Sequence, residues 1–278
     1  MAAFSMPRPL PSHVMKPAPL PVAAVKGDDL PIIHVEDRKP VADNNVPEVG
    51  DRPLQPDSRR ALAGELALRS EAKNAVQAFN ALAPFWSAAP VTQINEKPSP
   101  INQLVGQAGK RNLEMARFRG KLDELLRLDS PALLALSPKG TKGSYLVALT
   151  GVSNGRLHIQ PSLLGRNDFS KTEIASLWSG HAYIPWRNGE RIPSTLARGT
   201  AGNDVIRLQV LLQTAGFRSV EVNGMYDENT VKGVKEFQAS RRIGATGKID
   251  PVTLIQLYKA VNGAVAPSLA KHGRGGGA

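Results

Sequence analysis

Five histidines, His13, His34, His158, His181 and His272, are the side chains of this 278-residue sequence best suited to moving protons near neutral pH. None lies three or four residues from another, so no helix face offers two imidazoles to a metal, and no carboxylates complete such a set. The expectation is a protein with no metal and no other cofactor. His158 alternates with Leu157 and Ile159 as on a strand, which puts it on the solvent side of a sheet, and His181 follows Gly180 as a helix-end residue would. A Ser/His/Asp set for nucleophilic acyl chemistry can be written with Ser144, His158 and Asp168. Ser144 lacks the glycine-flanked elbow that exposes a nucleophile, yet such a set is defined by geometry rather than by chain order. Gly106-Gln-Ala-Gly109-Lys110-Arg111 has residue types of a phosphate loop, but only two residues separate its glycines and no Ser or Thr follows the lysine. It reads as a helix end. Cysteine is absent, which removes thiol catalysis, thiolate zinc sites, iron–sulfur clusters and disulfides together.

Charge narrows the partners. The net charge is +11, yet residues 1–99 hold 11 basic and 11 acidic groups, so the excess belongs to the rest of the chain. A basic surface favours an anionic partner: nucleic acid, phospholipid head groups or an acidic wall polymer. Aromatic residues make up only 5% and form no run interleaved with Arg and Lys, so nucleic acid is not the expected partner. No window of about eighteen apolar residues exists, so no membrane span is expected, and 20–25, broken by Pro21, is too short for a secretory signal.

Eleven of the 22 prolines fall within residues 1–57, where no apolar period survives, and this stretch is expected to be a disordered, extended arm. Apolar spacing then predicts a helix over 58–82 ended by Pro84, a weaker one over 101–108, and a short one over 121–128 stopped by Asp129-Ser130-Pro131. Strands are expected over 132–136, 144–150 and 156–160, the last two joined through the Asn154-Gly155 turn. Ser170 and Glu173 form a capping box, Gly180 would end that helix, and 182–186 returns as a strand. The result is an α+β domain over 58–190.

Residues 197–262 form a separate three-helix unit. Asn203 or Asp204 would cap its first helix, and Gly224-Met-Tyr-Asp227 and Gly247-Lys-Ile-Asp250 repeat one turn-and-cap element 23 residues apart. Pro251 fits the first turn of the third helix, and 263–278 is expected to be a flexible, basic, glycine-rich tail.

These residues resemble known families. Arg198-Gly199, Gly202-Asn-Asp204-Val205, Leu208-Gln209, Leu212, Gly216, Asn223-Gly224-Met-Tyr226-Asp227, Thr230, Val234, Phe237-Gln238, Gly247, Ile249 and Thr253 make residues 198–260 similar to the bacterial peptidoglycan-binding domain. Leu128-Asp-Ser-Pro131, Ser144-Tyr-Leu-Val-Ala-Leu-Thr-Gly151 and Leu177-Trp178-Ser-Gly180-His-Ala-Tyr183-Ile-Pro-Trp186 make the preceding region resemble a papain-like domain. It is the one before a peptidoglycan-binding domain in general secretion pathway protein A, an inner-membrane ATPase of type II secretion. Double-glycine peptidases of this type carry a histidine where this chain has Ser144 and an aspartate where it has Gln160. With no cysteine to attack, the resemblance implies a degenerate peptidase shape without its chemistry.

The expected protein is therefore a non-enzymatic envelope protein of the periplasm. It would hold peptidoglycan and serve as scaffold or anchor of a type II secretion-like assembly, with an inner-membrane or secretion-system protein as partner. Stem-peptide carboxylates, amides and sugar hydroxyls call for positive charge, amides and some aromatic surface, which makes Asn223, Tyr226, Gln238, Arg241 and Arg242 the candidate wall contacts. The alternative is a wall hydrolase or peptidase whose active site is not recognised in the sequence.

Overall fold

The computed structural model describes residues 32–34, 56–138, 143–263 and 266–272, so most of the expected arm and tail lies outside the described residues. Pro56–Ala67 forms α1 and Glu71–Leu82 forms α2, which splits the single helix expected over 58–82. Ser70 causes the break. Its backbone is extended, with φ −68° and ψ 126°, and its Oγ accepts from the Lys73 N–H as an N-cap does. A 3-10 turn, Ala83–Trp86, and helix α3, Pro100–Gly109, follow.

Seven strands then build one sheet: β1 Ile32–His34, β2 Glu114–Arg119, β3 Ala132–Leu136, β4 Tyr145–Ser153, β5 Arg156–Leu163, β6 Arg166–Ser170 and β7 Trp178–Trp186. Their order across the sheet is β1-β2-β7-β3-β4-β5-β6, antiparallel throughout except for β1 beside β2. The arm expected to be unstructured thus contributes an edge strand. The open rim of β2 offers unpaired N–H and C=O groups that such a segment satisfies. Two short helices, α4 Leu122–Arg127 and α5 Lys171–Ala175, interrupt the strands, the second capped by the Ser170–Glu173 box. Gly180, with φ 85°, lies inside β7 rather than at a helix end, and His181 beside it pairs across to Arg119. Strand alternation sorts the two faces. Leu133, Ala135, Leu146 and Ala148 meet Ala75, Phe79 and Leu104 of α2 and α3, while Leu134, Leu136, Val147, Leu149 and Ile159 face the other core.

The C-terminal unit comprises α6 Asn203–Thr214, α7 Glu228–Ser240 and α8 Pro251–Asn262, with a short α9, Leu269–His272, beyond. Asp227 and Asp250 cap α7 and α8 through the N–H groups of Thr230 and Thr253, at 2.9 and 2.7 Å. Gly202, not Asn203 or Asp204, is the N-cap of α6, and it makes no side-chain bond. Leu269 is buried and its N–H reaches Asp129 Oδ1 at 2.9 Å, so some of the expected flexible tail is fastened to the body.

The two units share one core. Val205, Leu208, Leu254 and Leu257 belong to the same buried cluster as Leu134, Ile184 and Trp186. Polar contacts tie the seam: Gln256 Nε2 donates to Leu128 O at 3.0 Å, Tyr258 Oη to Asn188 Oδ1 at 3.0 Å, and Lys259 Nζ lies 3.1 Å from Asp129 Oδ2.

Candidate functional site

The quasi-repeat in the C-terminal unit is organised by two fully buried glutamines. Gln209 Oε1 accepts from the N–H groups of Asn223 and Gly224, and its Nε2 donates to Met225 O and Thr230 Oγ1. Gln238 repeats this one element later, accepting from Gly247 N–H and donating to Lys248 O and Thr253 Oγ1. Tyr226 joins the two halves by donating its Oη to Gly247 O at 2.9 Å. Burial, then the nearby Asp250 carboxylate, pushes its phenol well above the ordinary value of 10.

Tyr226 and Gln238 are therefore interior residues that cannot touch a polymer, and their candidacy as wall contacts is corrected on that ground. Asn223 is exposed, but its amide is committed: Oδ1 accepts from Gln209 Nε2 and Met225 N–H, and Nδ2 donates to Asp227. Arg241 and Arg242 are exposed. Arg241 stacks over Phe237 with 5.6 Å between guanidinium carbon and ring centroid, and Arg242 turns out of α7 with φ 55°. Asn223 and the arginine pair lie at opposite ends of α7, whose 13 residues span roughly 20 Å at about 1.5 Å each. They are not one constellation.

Sequence reasoning missed what surrounds each end. Lys235 on α7 and Lys248 after it are also exposed, as are the large apolar residues Ile206 and Val210 of α6 and Val222 and Met225 of the turn that follows it.

In the α+β body, Ser144 is exposed at the start of β4, near the N-terminus of α2. Its N–H reaches Glu71, whose carboxyl is raised by burial and by the neighbouring Glu96 against the lowering effect of that bond. Gln160 faces Ala148 across the ladder, four residues further along β4 than Ser144, or about 13 Å at roughly 3.3 Å per residue. Ser144 and Gln160 do not meet. His181, opposite Arg119 in the ladder, is held below its ordinary 6.5 by burial and then by the Arg117 and Arg119 cations. His158 has different company: its Nδ1 lies 2.5 Å from Asp168 Oδ1, and its Nε2 lies 2.6 Å from the Oγ of Ser153 rather than of Ser144.

A cleft of about 430 Å³ opens at the seam, walled by Trp86, Trp186 and Tyr258 with Arg187, Lys259 and Asn262 around it. Its aromatic walls suit an apolar ring or chain, while Lys259 is engaged by Asp129 and Arg187 by Trp86 O. Among the described residues no cluster of three or more His, Asp or Glu could hold a metal, and no helix is long and apolar enough to cross a membrane.

Residues 201–257 match the family model described as "Putative peptidoglycan binding domain". No curated protein matches the chain. Among solved structures it is similar to a periplasmic domain of the EpsAB fusion protein of the Vibrio vulnificus type II secretion system. The two share 20% identity and a TM-score of 0.42 over 71% of this chain and 83% of that one. It is also similar to the N-terminal peptidase C39 like domain of the toxin secretion ATP-binding protein from Vibrio parahaemolyticus. There the identity is 14% and the TM-score 0.33, over 41% of this chain and 97% of that one. The unit held together by Gln209 and Gln238 is thus the part of the chain that the peptidoglycan-binding family model matches, over residues 201–257.

Proposed function

We propose that the chain is a peptidoglycan-associated protein of the periplasm or cell envelope, gripping the wall through the 197–262 unit and using the α+β body as a scaffold. The observation that carries this reading is the family match over 201–257, on a unit that presents Lys235, Lys248 and, at the C-terminal end of α7, Arg241 and Arg242 to solvent. Positive charge at that end complements stem-peptide carboxylates, and Arg can take them two oxygens at a time. The scaffold role and the link to a type II secretion-like assembly rest on the sequence resemblance of 61–190 to the papain-like region of general secretion pathway protein A. With no cysteine anywhere in the sequence, the body is assigned no thiol-peptidase step.

The test is co-sedimentation of the full chain with purified sacculi. The Arg241→Ala/Arg242→Ala double variant should bind about fivefold more weakly, as loss of two exposed charges costs about 1 kcal/mol. Binding should also fall as salt rises. Failure of the unaltered chain to pellet would overturn the wall reading, and undiminished pelleting of the double variant would move the contact away from this end of α7.

A further inference from the structure

On the solvent side of the sheet, three neighbouring strands each contribute one side chain to a hydrogen-bonded row. Ser153 at the end of β4 meets His158 of β5, which meets Asp168 of β6, at 2.6 and 2.5 Å. His158 and Asp168 sit directly opposite each other in the ladder. Because the Asp168 carboxylate takes the Nδ1–H, the lone pair of Nε2 is left facing the Ser153 hydroxyl, the arrangement of a nucleophile and its base.

This row depends on an irregularity in the ladder. Leu149 faces Ile159 but Gly151 faces His158, so Thr150 is an extra residue on β4. Regular alternation would put Ser153 on the face opposite His158; the bulge carries it onto the same face. Thr150 Oγ1 donates to His158 O at 3.2 Å, fastening the bulge to the residue it serves. Arg156 Nη2 donates to Asp168 O at 3.0 Å and steadies the third member. Ladder pairing ends at Ser153 opposite Arg156, and the next residue, Asn154, takes the left-handed turn with φ 50°. Its N–H is the backbone donor adjacent to the nucleophile, the place from which a developing oxyanion is held in strand-end nucleophile sites.

We propose that Ser153, His158 and Asp168 form a serine-nucleophile site for short-chain acyl esters carried on a larger molecule. The setting selects the substrate class. The side chains of His158 and Asp168 are 30% and 53% exposed, and the row lies outside the seam cleft, so it is open to a short acyl group on a bulky carrier. An acetyl ester on a glycan hydroxyl meets both conditions; naming peptidoglycan as that glycan rests on the wall-binding reading. In the step, Ser153 Oγ bonds to the acyl carbon while His158 Nε2 takes the hydroxyl proton. The carbon–alkoxy bond breaks, and the same proton passes to the departing alcohol. Water then adds to the acyl-serine with His158 again as base, the Ser153–acyl bond breaks, and the carboxylic acid leaves. Asp168 is the positioning residue, acting through the imidazole.

The full chain is treated with a fluorophosphonate, mapped by mass spectrometry, and assayed with p-nitrophenyl acetate. A phosphonyl adduct on Ser153 is expected, with hydrolysis falling at least tenfold in Ser153→Ala and in His158→Ala. Asp168→Asn should lower kcat with little change in KM and displace the acid limb of the kcat–pH profile, which a merely structural contact would not do. Absence of the adduct from the unaltered chain, hydrolysis undiminished in Ser153→Ala, or an unmoved pH profile in Asp168→Asn would each overturn the proposal. Sacculus pelleting by Ser153→Ala should equal that of the unaltered chain, which separates this outcome from failure of the wall-binding reading.

Discussion

Gln209 and Gln238 show how much one buried amide can organise. Each closes a glycine turn and anchors the threonine of the following helix, so a single side chain satisfies groups that are 9 to 21 residues away. Gln238→Leu keeps the bulk and strands the Gly247 N–H and its neighbours in the interior. It should cost about 2–4 kcal/mol in urea unfolding, the penalty for more than one unpaired buried group. The repeated turn and its capping aspartate were legible because glycine and Asp-x-x-Thr are local signals. The burial of Tyr226 and Gln238 was not, since a polar side chain inside and one on a ligand face look alike until the partners are known. Glu173 supplies a pH-dependent term. Burial acts to raise its carboxyl, but the Arg166 guanidinium and the Ser170 N–H and hydroxyl outweigh this and hold it below 4.5. A depressed carboxyl stabilises the fold above its unfolded value and loses that contribution as pH falls through the folded one. Unfolding midpoints should therefore drop as pH goes below about 4.5, and Glu173→Gln should flatten that region of the curve.

At the level of elements, α7 illustrates how closely the small unit is packed. A Cβ on Gly233 would lie 2.1 Å from Val220 Cγ2, and Val220 is buried where it cannot swing aside. Gly233→Ala should lower stability by about 1–3 kcal/mol, as overpacking does, and Val220→Ala in the same chain should recover some of the loss in a thermal melt. Strands with continuous apolar runs, such as β3 and β4, were readable from the sequence. β6 was not: Arg166-Asn-Asp-Phe-Ser170 has a single large apolar residue, and its extended form comes from the Leu164-Gly165 turn and from pairing with β5. The Thr150 bulge is likewise invisible in sequence, since one inserted residue leaves the apolar pattern intact while reversing which side Ser153 faces.

Over the whole molecule, the units that composition separates at about residue 197 are fused in space. Ile249 N–H donates to Leu196 O at 2.9 Å, and the Trp186 and Tyr258 rings lie 6.1 Å apart across the seam. Calorimetry of the full chain should show one cooperative transition, and Tyr258→Ala/Lys259→Ala should lower its midpoint or split it in two. A split already present in the unaltered chain would count against the shared core. Deletion of either unit would uncover Trp186 or Leu254, so wall binding and body function are best separated by surface substitutions.

The same seam matters when load is considered. Were the 197–262 unit held by a rigid polymer, tension entering near α7 would reach the body partly through α8. Gln256, Tyr258 and Lys259 stand within one turn of that helix and grip Leu128, Asn188 and Asp129 of the body. Pulled along the helix, these contacts share the force and fail together; pried from one end, they break in succession. The direction of pull, more than the strength of any bond, would then decide how firmly such a tether holds.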